Sequence, residues 1–183
     1  ISTDHNTFVY AGFSESDFKT LQNLRRELYK VLGKEAPNWH LHITLTANIY
    51  GKTHYNNLDE LKSIVRTAVG SQSAVTLIPS EELEINGGAC ITFENQVDPF
   101  TIIHKNIHDR LGNEYTTDGW HVSVIYDEKI TEAQSQLLKD TYRKMRPKSL
   151  RCNHYGVMKP YPPKTHFSEW TPLGRFEQED NAE

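Results

Sequence analysis

An α+β fold in two halves, each running β-α-β-α-β, is what this chain of 183 residues predicts. Three observations carry the expectation. Apolar residues recur at three- and four-residue steps in four segments and form short runs or alternate in the segments between, so helices and strands interleave. The same order of elements is met twice, once before and once after residues 82–83. A short motif also occurs once in each half: HLHITLT at 40–46 and HVSV at 121–124, with His42 and His121 79 residues apart. Packed about a pseudo-two-fold axis, these duplicated halves (about 1–82 and 83–176) would form a bilobal domain with the two motif strands facing each other across a central cleft.

Each element has its own warrant. TFVYAG at 7–12 is a β-branched and aromatic run and reads as a strand. Ser14 is placed to cap a helix over about 15–32, where Phe18, Leu21, Leu24, Leu28 and Val31 make one apolar stripe. Gly33 and Pro37 end it. The first motif strand, about 41–49, follows. A helix near 58–69 carries Leu58, Leu61, Val65 and Ala68 on one face, and residues 74–78 are a strand broken by Pro79. The second half opens with a hairpin, 83–86 and 89–94, turned at Gly87-Gly88. Pro99 starts a helix bearing Phe100, Ile103, Ile107 and Leu111. The second motif strand is 120–126, and a helix over about 132–145 presents Ala133, Leu137, Leu138, Tyr142 and Met145. Residues 149–158 and 168–176 close the fold as strands joined by the Pro-rich loop KPYPPKTH, too long for a tight hairpin and suited to a functional role. The acidic tail EQEDNAE, 177–183, is expected to fray.

Composition narrows the class. Hydrophobic residues make up 37% and charged residues 24%, the balance of a globular rather than a disordered chain. No apolar run reaches the roughly 18–20 residues that span a bilayer, and the first residues of the sequence do not read as a charged-then-apolar secretory leader. Cys90 and Cys152 are too few for a disulfide framework, so reduced thiols and an intracellular, cytoplasmic setting are expected. Ile1 in place of Met fits a domain of a larger protein and a chosen chain boundary equally. The net charge of −4 argues against bulk nucleic-acid binding. Yet no Asp or Glu occurs from Thr141 to Ser168, while Arg143, Lys144, Arg146, Lys148, Arg151, Lys159 and Lys164 alternate with Tyr142, Tyr155, Tyr161 and Phe167. A basic, aromatic stretch of this kind suits a short phosphate-bearing ligand; the plainer alternative is a solvated helix end and loop.

The motifs carry the chemistry. On a strand, residues i and i+2 share a face. His42 therefore lies beside Thr44, and His121 beside Ser123, while Leu41, Ile43, Leu45, Val122 and Val124 turn to a core. Two such pairs facing one phosphodiester supply an acid, a base and two hydroxyl donors. An imidazole with an unperturbed pKa of about 6.5 serves either role near neutral pH. Hydroxyls on the non-bridging oxygens help most as charge builds in the transition state. Neither metal nor cofactor is required. Which histidine is acid and which base is open at this level.

HITL at 42–45 and HVSV at 121–124 resemble the paired His-x-Thr/Ser-hydrophobic signatures of the two-histidine (2H) phosphoesterase superfamily. Members include bacterial 2′-5′ RNA ligase-like proteins, eukaryotic 2′,3′-cyclic phosphodiesterases and viral 2′,5′-oligoadenylate phosphodiesterases. The resemblance implies a bilobal α+β fold with its cleft between lobes, His42 and His121 as the catalytic acid and base, and Thr44 and Ser123 as phosphate ligands. It also implies metal-independent hydrolysis of a short RNA, oligonucleotide or cyclic nucleotide. Serine at 123 departs from the commoner threonine but keeps the donor. In sequence the likeness rests on the two tetrapeptides; in element order and spacing it covers most of the chain.

Substrate contacts are expected from Tyr161, Lys159 and Lys164 in the Pro-rich loop, and from Trp39 and His40 beside the first motif. Tyr10 and Tyr126 are further stacking candidates. Trp120 alternates with His121 and so belongs to the core side. His40 and His42 could form half a metal site, but a metal needs further ligands at a recognisable spacing, and HKNIH at 104–108 lacks the glutamate of a zinc-protease helix. Cys90 lies in an apolar strand and reads as an inert thiol. His5, His54, His154 and His166 read as ordinary surface residues. The rival to an enzyme is a non-catalytic RNA- or nucleotide-binding module on the same fold; a module of that kind has no need of both motifs intact.

Overall fold

The computed structural model describes residues 7–49, 58–111, 119–126, 128–160 and 168–177. Its elements run β1 (Thr7–Phe13), α1 (Glu15–Val31), β2 (Ile43–Ile49), α2 (Leu58–Val69), β3 (Val75–Leu77), β4 (Glu84–Ile85), β5 (Gly88–Thr92), α3 (Asp98–Leu111), β6 (His121–Tyr126), α4 (Glu132–Met145), β7 (Leu150–Pro160) and β8 (Ser168–Arg175). Local chemistry accounts for the helices. In α1, Leu21, Leu24 and Leu28 are at most 1% exposed, and burying each such side chain contributes about 1.5–3 kcal/mol. The first turn of α4 is closed by a capping box, with Gln134 N donating to Thr131 Oγ1 at 3.1 Å and Thr131 N to Gln134 Oε1 at 2.9 Å.

The strands form one antiparallel sheet in the order β3-β7-β1-β2-β6-β5-β4. β7 is long enough to take two partners on one edge. Leu150–Cys152 pairs with β3 and His154–Pro160 with β8, while the opposite edge pairs with β1. The last strands of the chain thus lie beside its first strand in the single sheet. The described residues of β2 and β6, the two motif strands, meet at the register Ile43↔Val122. Of the C-terminal segment, Glu177 is described: its carbonyl accepts from Ala74 N at 2.7 Å and its N–H donates to Gln72 O at 3.0 Å.

One face of the sheet is apolar. Val9, Ala11, Ile43, Leu45, Ile91, Val122, Val124, Tyr155 and Val157 are all 6% exposed or less and belong to a single core with α1–α4. The pairings Tyr10↔Thr44, Tyr10↔Gly156, Gly12↔His154 and Thr92↔His121 place the polar residues of the same strands on the opposite face. Two glycines make room there. A Cβ on Gly12 would overlap the His154 imidazole. One on Gly156 would meet the Thr171 carbonyl oxygen and lie 2.7 Å from Tyr10 Oη. Since backbone cannot move aside as a side chain can, Gly156→Ala is expected to cost about 1–3 kcal/mol of stability by overpacking, readable as a lowered midpoint in urea denaturation.

Candidate active site

His42 stands just before β2, and the pairing Ile43↔Val122 determines its neighbours. Carried one residue either way, that register sets His42 opposite Ser123 and Thr44 opposite His121. The two histidines are then diagonal neighbours on one face, a separation of roughly 7–8 Å in a regular antiparallel pair. On the far side of β6, β5 sets Cys90 against Ser123 and Thr92 against His121. His121 is exposed, while His42, Thr44 and Ser123 are half-buried. All four residues of the paired motifs therefore come together on the polar face of the sheet.

His42 is the more constrained imidazole. Its Nδ1 lies 3.0 Å from the His40 carbonyl oxygen, which can only accept, so Nδ1 carries the proton and Nε2 is left with the lone pair. Its ring packs against Trp170 at 4.8 Å, centroid to centroid, and against the edge of Tyr10 at 6.3 Å. Burial pushes its pKa down to about 4; the bond to the His40 carbonyl works against that shift, and His121 adds to it. His42 is thus neutral at pH 7.

Behind it lies a cluster of rings. Tyr10, 1% exposed, is met by His40 at 5.4 Å, His154 at 6.3 Å and Trp170 at 4.9 Å. His40 stacks on Trp170 at 4.3 Å and leans on Phe18 at 5.4 Å, and its Nδ1 is buried without a hydrogen-bond partner among the described residues. Burial, with the neighbouring His42, His154 and Arg25, lowers its pKa to about 3. Burial likewise raises Tyr10 to about 12.

Other sequence expectations meet the structure differently. Trp39 is only 7% exposed and works as a core residue: the Arg25 guanidinium lies 4.6 Å over its ring and Tyr126 packs on it at 5.2 Å, so it offers no open face for a base. Trp120 packs against Phe100 and His104, on the core side as alternation requires. His154 is no free surface residue. It is half-buried, its Nδ1 lies 2.6 Å from Asn153 Oδ1, and burial followed by the nearby Arg175 lowers its pKa. Cys90 is raised to about 11 by burial and then by Glu84, the protonated state expected of an inert thiol. Tyr161 and Lys164 lie outside the described residues, as do His5, His54 and His166. Of Lys159 only the backbone pairing with Glu169 is described. Among the described residues no group of three or more His, Cys, Asp or Glu converges as a metal site, and no helix is long and apolar enough to cross a membrane.

Arg25, Trp170 and Tyr10's part in the ring cluster were missed in the sequence. The available signal for Arg25 was its place four residues after Leu21, inside the apolar stripe of α1. Trp170 gave none, because its approach to His42 depends on β8 pairing with β7.

No family model matches the chain, and no curated protein matches it. Solved structures do. E. coli LigT complexed with NADP+ superposes with a TM-score of 0.62 at 12% identity, covering 97% of this chain and all of that one (100%). TT0787 of Thermus thermophilus gives 0.59 at 13% identity, over 93% of this chain and 96% of that one. Usb1 of Kluyveromyces marxianus gives 0.56 at 9%, over 93% and 99%. At such identities the likeness is one of fold, and it is the fold that the two motifs imply. The chain has the LigT-like α+β fold.

Proposed function

We propose that this chain is a metal-independent phosphodiesterase acting on RNA or oligonucleotide phosphodiesters, either 2′,5′-linked oligoadenylate or a 2′,3′-cyclic phosphate. The observation that supports it best is the register Ile43↔Val122, which groups His42, His121, Thr44 and Ser123 on one face. In this reading the halves 1–82 and 83–176 act as one unit, each supplying one motif. LigT has been crystallised with phosphate, ATP and 3′-AMP as well as NADP+, which accords with a nucleotide or phosphate ligand at this fold.

His42 acts as the base. It is neutral at pH 7, and its Nε2 lone pair is free because the His40 carbonyl engages Nδ1. Nε2 takes the proton of the attacking water or hydroxyl, whose oxygen bonds to phosphorus. The bond from phosphorus to the leaving oxygen breaks, and that oxygen takes a proton from His121, which is exposed and can exchange with solvent. Thr44 and Ser123 hydroxyls donate to the non-bridging oxygens, where charge grows. Product release and proton exchange restore both histidines.

The test is an end-point assay, in excess EDTA, on 2′,5′-linked triadenylate and on a 2′,3′-cyclic nucleotide monophosphate, with products separated by chromatography. Cleavage of at least one, at a rate untouched by EDTA, is expected. Tight binding of both without cleavage would instead establish a binding module, and strong inhibition by EDTA would restore a metal to the mechanism.

A further inference from the structure

Arg25 is a buried cation that the proposed chemistry does not use. It projects from α1 and is 2% exposed, yet among the described residues no carboxylate lies within 4.0 Å of it. Its Nη1 donates to the Trp39 carbonyl at 2.7 Å, its guanidinium covers the Trp39 ring at 4.6 Å, and its Nε has no hydrogen-bond partner among the described residues. A buried, unpaired guanidinium of this sort is a poor device for stability: apolar residues of similar volume commonly serve as well or better. What it does provide is a rigid hold on the segment leading into β2. Residues 35–42 belong to no helix or strand, so His42 lies just outside β2. Trp39 is pinned between Arg25 and Tyr126, Leu41 is fully buried, and the carbonyl between them, that of His40, receives His42 Nδ1–H.

We propose that Arg25 is a positioning residue for His42: by holding the Trp39 carbonyl and ring it sets the His40 carbonyl that selects the His42 tautomer and aims Nε2 at the phosphodiester. The kinetic side of this assignment rests on the proposed phosphodiesterase activity; the tautomer side does not. A displacement of the base by about 1 Å can cost on the order of 100-fold in rate.

The experiment pairs Arg25→Met, which keeps the volume and removes donor and charge, with Arg25→Lys, which still offers a donor. Each is read by thermal unfolding, by kcat and KM on the cleaved substrate, and by 15N–1H correlation of the imidazoles at neutral pH. For the methionine variant we expect an unfolding temperature equal to or above wild type, a kcat lower by about 10- to 100-fold with KM within about twofold, and a His42 signal shifted from the pure Nδ1–H tautomer toward a mixture. Lysine should recover part of both. A methionine variant with unchanged kcat and tautomer overturns the proposal, as does one that fails to fold, since Arg25 would then be a stability residue; so does a lysine variant no better than methionine. If wild-type protein cleaves neither substrate, the functional reading falls while the tautomer comparison still decides the role of Arg25.

Discussion

Substituting His42 or His121 by alanine is expected to lower kcat/KM by about 10²- to 10⁴-fold in each case, the range that a positioned acid or base contributes. The double substitution should cost little more than the worse single one, because an acid and a base that move protons in one step act as a unit. The effects on folding should be small and unequal. His121 is exposed, so its removal should leave the urea midpoint near wild type. His42 packs on Trp170 and donates to the His40 carbonyl, so alanine there should cost about 1–2 kcal/mol through the lost bond and contact. Steady-state kinetics beside urea denaturation separates the two readouts. Full turnover by either single variant would remove that histidine from the mechanism, and loss of folding on His121→Ala would contradict its exposure.

The second large effect is on stability in acid. In the unfolded chain a histidine titrates near 6.5. In the folded protein His42 is depressed to about 4 and His40 to about 3, and His154 is lowered as well, burial being the leading cause in all three. Below pH 6.5 the unfolded chain therefore binds protons that the folded chain refuses, so stability falls as pH falls and is flat, for these groups, above 6.5. The slope approaches about 1.4 kcal/mol per pH unit for each of His40 and His42. Urea midpoints between pH 6.5 and 5, above the range of ordinary carboxylates, are the measurement. His40→Phe keeps a ring between Phe18 and Trp170 without a titrating group and should reduce that slope by the share of one histidine. A stability flat across this window would show that these imidazoles are hydrated in solution and would remove the case for His42 as a neutral base.

Much of this molecule is legible one segment at a time. The stripe Phe18, Leu21, Leu24, Leu28 and Val31 predicts α1, and α4 begins and ends at the expected 132 and 145, because amphipathic periodicity is a property of adjacent residues; Ser14, placed to cap α1, makes no side-chain cap bond. The alternation of His42, Thr44, His121 and Ser123 with buried Ile43, Leu45, Val122 and Val124 is likewise visible in the bare sequence, since a strand has only two faces. Less visible is the environment of each histidine. Nothing in HLHITLT says that one imidazole will be neutral at pH 7, because that depends on the Trp170 and Tyr10 rings brought by β8 and β1. Trp39 beside the first motif suggested stacking on a ligand; the Arg25 guanidinium, 14 positions earlier in the chain, claims its face instead.

By itself the sequence determined the class of fold, the order of its strands and helices, and the two histidine–hydroxyl pairs, all of which follow from short-range periodicity and side-chain chemistry. Only the tertiary structure decided that β7 joins the sheet between β3 and β1 and carries β8, that the motif strands meet at Ile43 and Val122, and that His42 is half-buried against Trp170 while His121 faces solvent. Those outcomes depend on the pairing register of strands far apart in the chain. Register is chosen by the summed burial of a whole face and not by any one segment.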